Sequence, residues 1–469
     1  MLIRCMVWGL LSFVVSLAAR AADVPAKAPN VVLIFIDDLG YGDIGPFGNT
    51  TLRTPNLDRL AAEGMKFTSF YATPVCSMSR ASLLTGCYNP RVSIPGVLFP
   101  GSLIGLHPDE VTLADVAKQK AYATTCIGKW HLGHREPFLP TRQGFDEYFG
   151  IPYSNDMSID PVHAKFASDC VFREGMTQEK ARAAAIRNKV PLMRGVEVVE
   201  YPADQSTLTQ RYTDEAIKFI KAHKDGPFFV YLPHTMVHYP LAASANFKDK
   251  SAGGLLGDAI EELDDSVGRI MKTLKELDLD ERTLVIFTSD NGAAAGSSLP
   301  WRGKKGSTYE GGVREPCIMR WPGKVPAGTS CHQIAGNIDL LPTFLKLLDG
   351  KLPDDRIIDG RDITPLMFDP KAGPVRDTQL YFSGNGKLAA IRQGDWKLHL
   401  AAGKGGKNKK EKEQASEPVL YQLATDPGET TDVAAANPQI VVRLSDEAAK
   451  RHAEIQQNKR PSGTVEAGR

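Results

Sequence analysis

The first strongly patterned segment is Val31-Val-Leu-Ile-Phe-Ile36, a run with no polar position and mostly β-branched residues. A strand without a polar face is buried on both sides, as in the interior of a parallel sheet, and the run predicts such a strand. Thr54-Pro55 then reads as a helix start, with Thr54 as N-cap, Pro55 in the first turn and Gly64 as the stop. Further apolar runs predict strands over 122–127, 227–232 and 283–288, with helical spacing over 208–222 and 257–277 between them. Alternating strands and helices predict an α/β fold: a large, mostly parallel (mixed) central sheet flanked by helices.

Beyond residue 374 the texture changes. Leu388-Ala-Ala-Ile-Arg-Gln and Trp396-Lys-Leu-His-Leu read as short strands of a hairpin, followed by a Gly/Lys-rich stretch over 403–414, Leu420-Tyr-Gln-Leu and a last helix over 438–456. The lysine-rich stretch reads as a solvated loop rather than a polyanion site. The expected organisation is a signal peptide over 1–22, a catalytic α/β domain over 23–374, and a smaller C-terminal subdomain over 375–469 carrying a short antiparallel sheet and a helix. The leader rests on Arg4, the apolar run over 6–18 and the small residues of Ala19-Arg20-Ala21-Ala22. That run is too short to span a bilayer, and no later stretch qualifies. An exported protein is expected, in a periplasmic, secreted or lumenal location; an N-terminal anchor helix is the alternative reading of the same residues.

Composition narrows this further. The chain has 469 residues, 42% of them hydrophobic, which is material for a large core and more than one unit. With 56 Lys+Arg against 55 Asp+Glu the net charge is +1, so nothing global argues for nucleic acid or an anionic membrane as partner. The seven cysteines show no CxxC pair and no zinc spacing, and any disulfide connectivity is unreadable.

Candidate chemistry sits at strand ends. Asp37-Asp38 directly follows the 31–36 run, and Asp290-Asn291 directly follows the 283–288 run. In a parallel sheet both fall at the carboxyl edge, where α/β proteins bind ligands. Three carboxylates and an amide oxygen make a hard, oxygen-only donor set suited to Ca2+ or Mg2+ and not to zinc. An isolated Asp-Asp pair usually caps a turn; two matched sets favour a metal. Pro74-Val75-Cys76-Ser77-Met78-Ser79-Arg80 leads into a helix ending at Gly86, which puts Cys76 at a helix N-terminus with Arg80 one turn on. A lone Cys is usually a small buried apolar residue; this placement points to a reactive or modified group. Lys129 and His131, alternating after another strand, offer a fixed cation and a proton acceptor on one side. His234 and His238 follow the 227–232 strand, and Lys304-Lys305-Gly306 follows Asp290-Asn291. Together these supply the cations an anionic ester needs around its charged head and its leaving oxygen.

Taken in order, these segments resemble the formylglycine-dependent sulfatases of the alkaline phosphatase superfamily, and within them the arylsulfatase A type. The resemblance covers nearly all of the chain after the leader: Ile36-Asp-Asp-Leu-Gly-Tyr-Gly42, Thr54-Pro-Asn-Leu-Asp-Arg-Leu60, Cys76 to Arg80, Leu83-Leu-Thr-Gly86, Gly128 to Gly133, Gly150-Ile-Pro-Tyr-Ser154, His238-Tyr-Pro240, Ser289-Asp-Asn-Gly292, Gly306 to Pro316 and Leu420 to Glu429. It implies that a formylglycine-generating or equivalent modifying enzyme oxidises Cys76, and that Asp37, Asp38, Asp290 and Asn291 hold Ca2+, or Mg2+, together with the oxygen at position 76. It implies that Arg80 steadies the hydrated aldehyde, that Lys129, Ser154, His238 and Lys305 contact the sulfate or its leaving oxygen, and that His131 acts on the hydrate's second hydroxyl. The implied activity is hydrolysis of a sulfate monoester, on a small molecule or a glycan, with release of inorganic sulfate. Position 78 departs from the family's motif, with Met where that motif carries Pro or Ala. Two alternatives stay open on sequence alone: a phosphonate or phosphodiester monoester hydrolase of the same superfamily, and a non-catalytic binder of sulfated glycans in which Cys76 is unmodified.

Overall fold

The computed structural model describes residues 29–183, 188–400 and 417–467. The expected leader and the lysine-rich 403–414 stretch lie outside the described residues.

Among the described residues, twelve strands form the main sheet. Asn30–Ile36 lies at its centre, paired in parallel with Phe228–Pro233 on one side and Thr283–Ser289 on the other. Ala123–Lys129 and Glu147–Ile151 continue the parallel block past Phe228–Pro233. On the far side, Arg314–Arg320 runs antiparallel to Thr283–Ser289, and Met65–Tyr71 runs antiparallel to that, so it regains the direction of the central strands. The mixed, mostly parallel sheet is the one the sequence predicts.

Every residue of Asn30–Ile36 is buried. Val31, Leu33 and Phe35 enter one core with Leu83, Leu113, Leu341 and Phe344, while Val32, Ile34 and Ile36 enter another with Leu57, Leu208, Ile260 and Leu263. Helices therefore cover both faces, which is why the run carries no polar position. Each such aliphatic side chain contributes about 1.5–3 kcal/mol relative to exposure.

Helix Leu208–Ala222 has its expected bounds, and the next long helix starts early, at Gly254. The strand expected over 122–127 runs Ala123–Lys129, which makes Lys129 its last residue. Thr54 holds the N-cap position of helix Pro55–Ala62 but does not cap it. Its hydroxyl accepts from the Gly45 N–H at 2.9 Å. Asp264 takes over, accepting from the N–H groups of Asn56 at 3.2 Å and Leu57 at 2.8 Å. A carboxylate at the positive end of a helix satisfies both orphan donors and dipole, and this one comes from a partner helix far along the chain.

Thr378–Phe382, Leu388–Gln393, Trp396–His399 and Val419–Gln422 form a four-stranded antiparallel sheet. Helix Pro438–Gln457 packs on it through Leu444, Ala448 and Ile455, in a core that Met78, Tyr88 and Ile338 join from the larger part. The six described cysteines are free thiols. Among the described residues no helix is long and apolar enough to cross a membrane.

Candidate active site

The parallel strands and Met65–Tyr71 deliver their carboxyl ends to one edge of the sheet. Asp37 and Asp38 leave Asn30–Ile36, Lys129 ends its strand, Ser154 follows Glu147–Ile151, His238 follows Phe228–Pro233, Asp290 and Asn291 leave Thr283–Ser289, and Cys76 opens helix Cys76–Thr85 after Met65–Tyr71. Two glycines permit this convergence. A Cβ on Gly128 would lie 1.9 Å from the Pro233 carbonyl oxygen, and one on Gly150 would lie 1.8 Å from that of Gly128. Only glycine allows strand ends to approach this closely.

Asp37, Asp38, Cys76 and Asp290 bring one potential ligand atom each within 4.8 Å of one another, all buried. Asp38 has a left-handed backbone (φ 62°), a conformation that costs a non-glycine residue about 1 kcal/mol or more. It is held there by its own N–H on Asp290 Oδ1 at 3.1 Å and by the Val237 N–H on the Asp37 carbonyl at 2.8 Å. Asn291 Nδ2 donates to Asp38 Oδ1 at 2.7 Å, while its Oδ1 is buried without a partner.

Three cations face these carboxylates. Arg80 donates from Nη2 to Asp290 Oδ2 at 2.8 Å and from Nη1 to the Lys129 carbonyl at 2.6 Å. Lys129 Nζ bonds Asp37 and lies 3.2 Å from Ser154 Oγ. Lys305 Nζ is 2.7 Å from Asp38 Oδ1 and 3.5 Å from Cys76 Sγ, and Cys76 Sγ is 3.5 Å from Asp37 Oδ1. His238 lies 3.4 Å from Ser154 Oγ, and its Nε2 is 3.7 Å from Asp38 Oδ2. The structure thus brings together ten of the residues singled out in the sequence: Asp37, Asp38, Cys76, Arg80, Lys129, Ser154, His238, Asp290, Asn291 and Lys305. His131 stands behind them: its Nε2 is engaged with the Leu98 carbonyl at 2.9 Å and its Nδ1 is buried without a partner.

The electrostatics follow from burial. Asp37 is desolvated, yet Lys129, His238, Arg80 and Lys305 hold its carboxyl well below the usual range. Asp290, desolvated and repelled by Asp37, is pushed up to about 7. Burial, with smaller effects from Asp37 and Asp290, pushes the Cys76 thiol up. Burial and then Lys129 depress both His131 and His238. The three carboxylates are matched by Arg80, Lys129 and Lys305. A hard dication suits the remaining feature, the unpartnered Asn291 Oδ1 beside crowded carboxylates. Its charge would leave the balanced cluster net positive, ready for an anion.

Some residues with evident roles gave no sequence signal. Asp43 accepts from the N–H groups of Gly40 at 2.8 Å and Ser297 at 2.7 Å, tying the turn after Asp38 to the loop before Lys305. Lys397, Glu310 and Glu429 form a fully buried ionic cluster behind that loop. Lys397 sits in an alternating strand between Trp396 and Leu398, where a lysine reads as solvent-facing.

Two family models match the chain, one described as Sulfatase over residues 29–350 and one described as the C-terminal region of aryl-sulfatase over residues 375–466. N-acetylgalactosamine-6-sulfatase of Canis lupus familiaris is 37% identical over 468 residues, covering 90% of this chain and 84% of its own. Arylsulfatase A of Homo sapiens is 37% identical over 457 residues, covering 91% and 88%. Among solved structures, Ps i-CgsB in complex with k-i-k-neocarrahexaose is similar at a TM-score of 0.77 and 28% identity, covering 93% of this chain and 96% of its own.

Proposed function

Because this chain belongs to the sulfatase family and is a sulfuric ester hydrolase, we propose that position 76 acts as formylglycine and that Asp37, Asp38, Asp290 and Asn291 hold a divalent metal, Ca2+ or Mg2+, beside it. The modified residue supplies an oxygen nucleophile, and the dication supplies positive charge where oxygen charge develops. The remaining work belongs to the chain's own side chains. Lys129, Ser154, His238 and Lys305 bind and orient the sulfate head. Lys305 and His238 meet the leaving oxygen, Lys305 as a fixed charge and His238 as a proton donor. Arg80 holds Asp37 and Asp290 in register, and His131 offers Nδ1 as a proton acceptor behind position 76.

The observation that carries this reading is the setting of Cys76. Its Sγ lies 3.5 Å from Asp37 Oδ1 and 3.5 Å from Lys305 Nζ at the start of a helix. An oxygen nucleophile at that position would lie among the carboxylates of Asp37, Asp38 and Asp290 and beside the Lys305 cation, which supports the reading. The natural substrate we infer is a sulfated sugar. The names of the sugar-sulfate relative and of the neocarrahexaose complex support that choice. Removal of a leader over 1–22, export, and division into 23–374 and 375–469 complete the proposal.

Peptide mass spectrometry on the fragment carrying Cys76, from native-host protein, tests it. The aldehyde lowers the mass by about 18 units and is the expected result. An unmodified Cys76 in turnover-competent protein overturns it. Parallel assays with aryl sulfate and aryl phosphonate are expected to favour sulfate, and stripping with a chelator is expected to lower turnover until Ca2+ or Mg2+ is restored.

A further inference from the structure

Lys305 is carried on a segment that the C-terminal sheet holds from behind. Lys397, in strand Trp396–His399, is fully buried and places Nζ 2.8 Å from Glu310 Oε1 and 3.1 Å from Glu429 Oε1. Glu429 Oε2 accepts from the Glu310 N–H at 2.6 Å, and its carbonyl accepts from Arg302. Glu310 therefore has its backbone and its carboxylate fixed by residues of the C-terminal part. Its other oxygen accepts from the hydroxyl of Tyr71, the last residue of the strand that leads to Cys76, and lies 3.1 Å from Arg314 Nη1.

From Glu310 the connections run straight into the site. The Gly311 N–H bonds the Arg302 carbonyl at 2.7 Å, closing the loop that contains Lys305. The Gly292 N–H, next to Asn291, bonds the Gly312 carbonyl at 3.2 Å. The Lys305 N–H bonds the Ala293 carbonyl at 3.1 Å, and the Gly306 N–H bonds the Pro74 carbonyl at 2.8 Å, two residues before Cys76. The 302–313 segment is thus clamped between the catalytic strand ends and one buried lysine of the second sheet. Packing alone does not call for an ion there. Leu398 and Leu420 already supply the apolar contacts of that sheet, and a buried ion pair is often replaceable by apolar residues without loss of stability. What the ion pairs add is a fixed direction for Glu310.

We propose that Lys397 is a positioning residue for the reaction, acting through Glu310 and Glu429 to set Lys305 against the leaving oxygen. The C-terminal sheet is then part of the active-site scaffold rather than an appendage. The inference rests on the reading of Lys305 given above.

Four full-length proteins test it: Lys397→Met, Lys305→Ala, the double variant, and Lys397→Arg. Lys397→Met keeps the stem and removes the charge. A misplacement of Lys305 by about 1 Å is expected to lower kcat about 10- to 100-fold with KM less affected, and more so for poor leaving groups. In the Lys305→Ala background the same change should cost little, because the group it positions is gone. Lys397→Arg should recover part of the loss. Full activity in folded Lys397→Met, or losses that multiply in the double variant, overturns the proposal while leaving the Lys305 reading intact. Full activity in Lys305→Ala overturns that reading, and the positioning role with it. Should Lys397→Met fail to fold, Glu429→Gln, which keeps shape and an acceptor, carries the same cycle with the same deciding outcomes.

Discussion

Arg80 and Asp290 meet with Nη2 2.8 Å from Oδ2, neither side chain exposed and the two 210 residues apart in the chain. The pair closes the cluster from below, since Arg80 also lies 3.7 Å from Asp37 and donates to the Lys129 carbonyl. Arg80→Ala leaves two buried carboxylates short of a partner. It is expected to cost about 3–5 kcal/mol in urea unfolding and to abolish most turnover. Arg80→Lys keeps the charge but not the fork, so it should recover stability more than kcat/KM. Equal recovery of both would show that charge alone suffices.

Met78 lies in the first turn of helix Cys76–Thr85, and the first backbone bond of that turn runs from the Ser79 N–H to the Val75 carbonyl. A proline at 78 therefore gives up no helical bond. It does leave room where the Met78 side chain fills the core with Tyr88 and Ile338. Met78→Pro should lose about 1–3 kcal/mol, while the converted fraction of Cys76 stays equal or rises. A fall in that fraction, read by peptide mass spectrometry, contradicts this.

His238 is depressed by burial and then by Lys129. That shifts its protonated form towards the acid side. For substrates with a poor leaving oxygen, kcat/KM should rise as pH falls below neutrality and then level off. His238→Ala should flatten that limb and lower the rate about 10²- to 10⁴-fold. A flat profile for the unsubstituted protein would remove His238 from the proton-transfer role.

Glu315 is fully buried, with neither carboxyl oxygen partnered, and burial followed by the charges of Asp290 and Asp38 holds its pKa well above 4.5. Folded protein therefore keeps a proton that the unfolded chain releases above pH 4.5. Its contribution is fully present at low pH and is lost as pH rises towards the folded value, at about 1.4 kcal/mol per unit. Glu315→Gln lacks that titration, so it should match the unsubstituted protein near pH 4 and exceed it progressively at higher pH. Parallel pH dependence of the two unfolding curves would sink this.

The fold and the convergence of the candidate site residues were legible because both are written locally. An apolar run followed at once by Asp37 or Asp290 announces a buried strand and the polar edge it leads to together. Thr54 marks the N-cap position of helix Pro55–Ala62 correctly, but the groups that cap it come from Asp264, and no local pattern reveals a partner brought in by tertiary packing. Lys397 was unreadable for a related reason: its alternation with Trp396 and Leu398 matches a surface lysine, and only Glu310 and Glu429, brought against it by folding, make it an interior one.

The 2% exposure of Cys76 also sets a timetable. Asp290 and Lys305 lie against the thiol only after they have been synthesised. A chain made from its N-terminus at about 5–20 residues per second offers position 76 openly for roughly 10–40 s before residue 290 exists. Under the formylglycine reading proposed above, conversion of the thiol falls in that interval or waits until the chain unfolds. On that reading folding is the deadline for maturation, and a molecule that folds too soon keeps an unconverted Cys76.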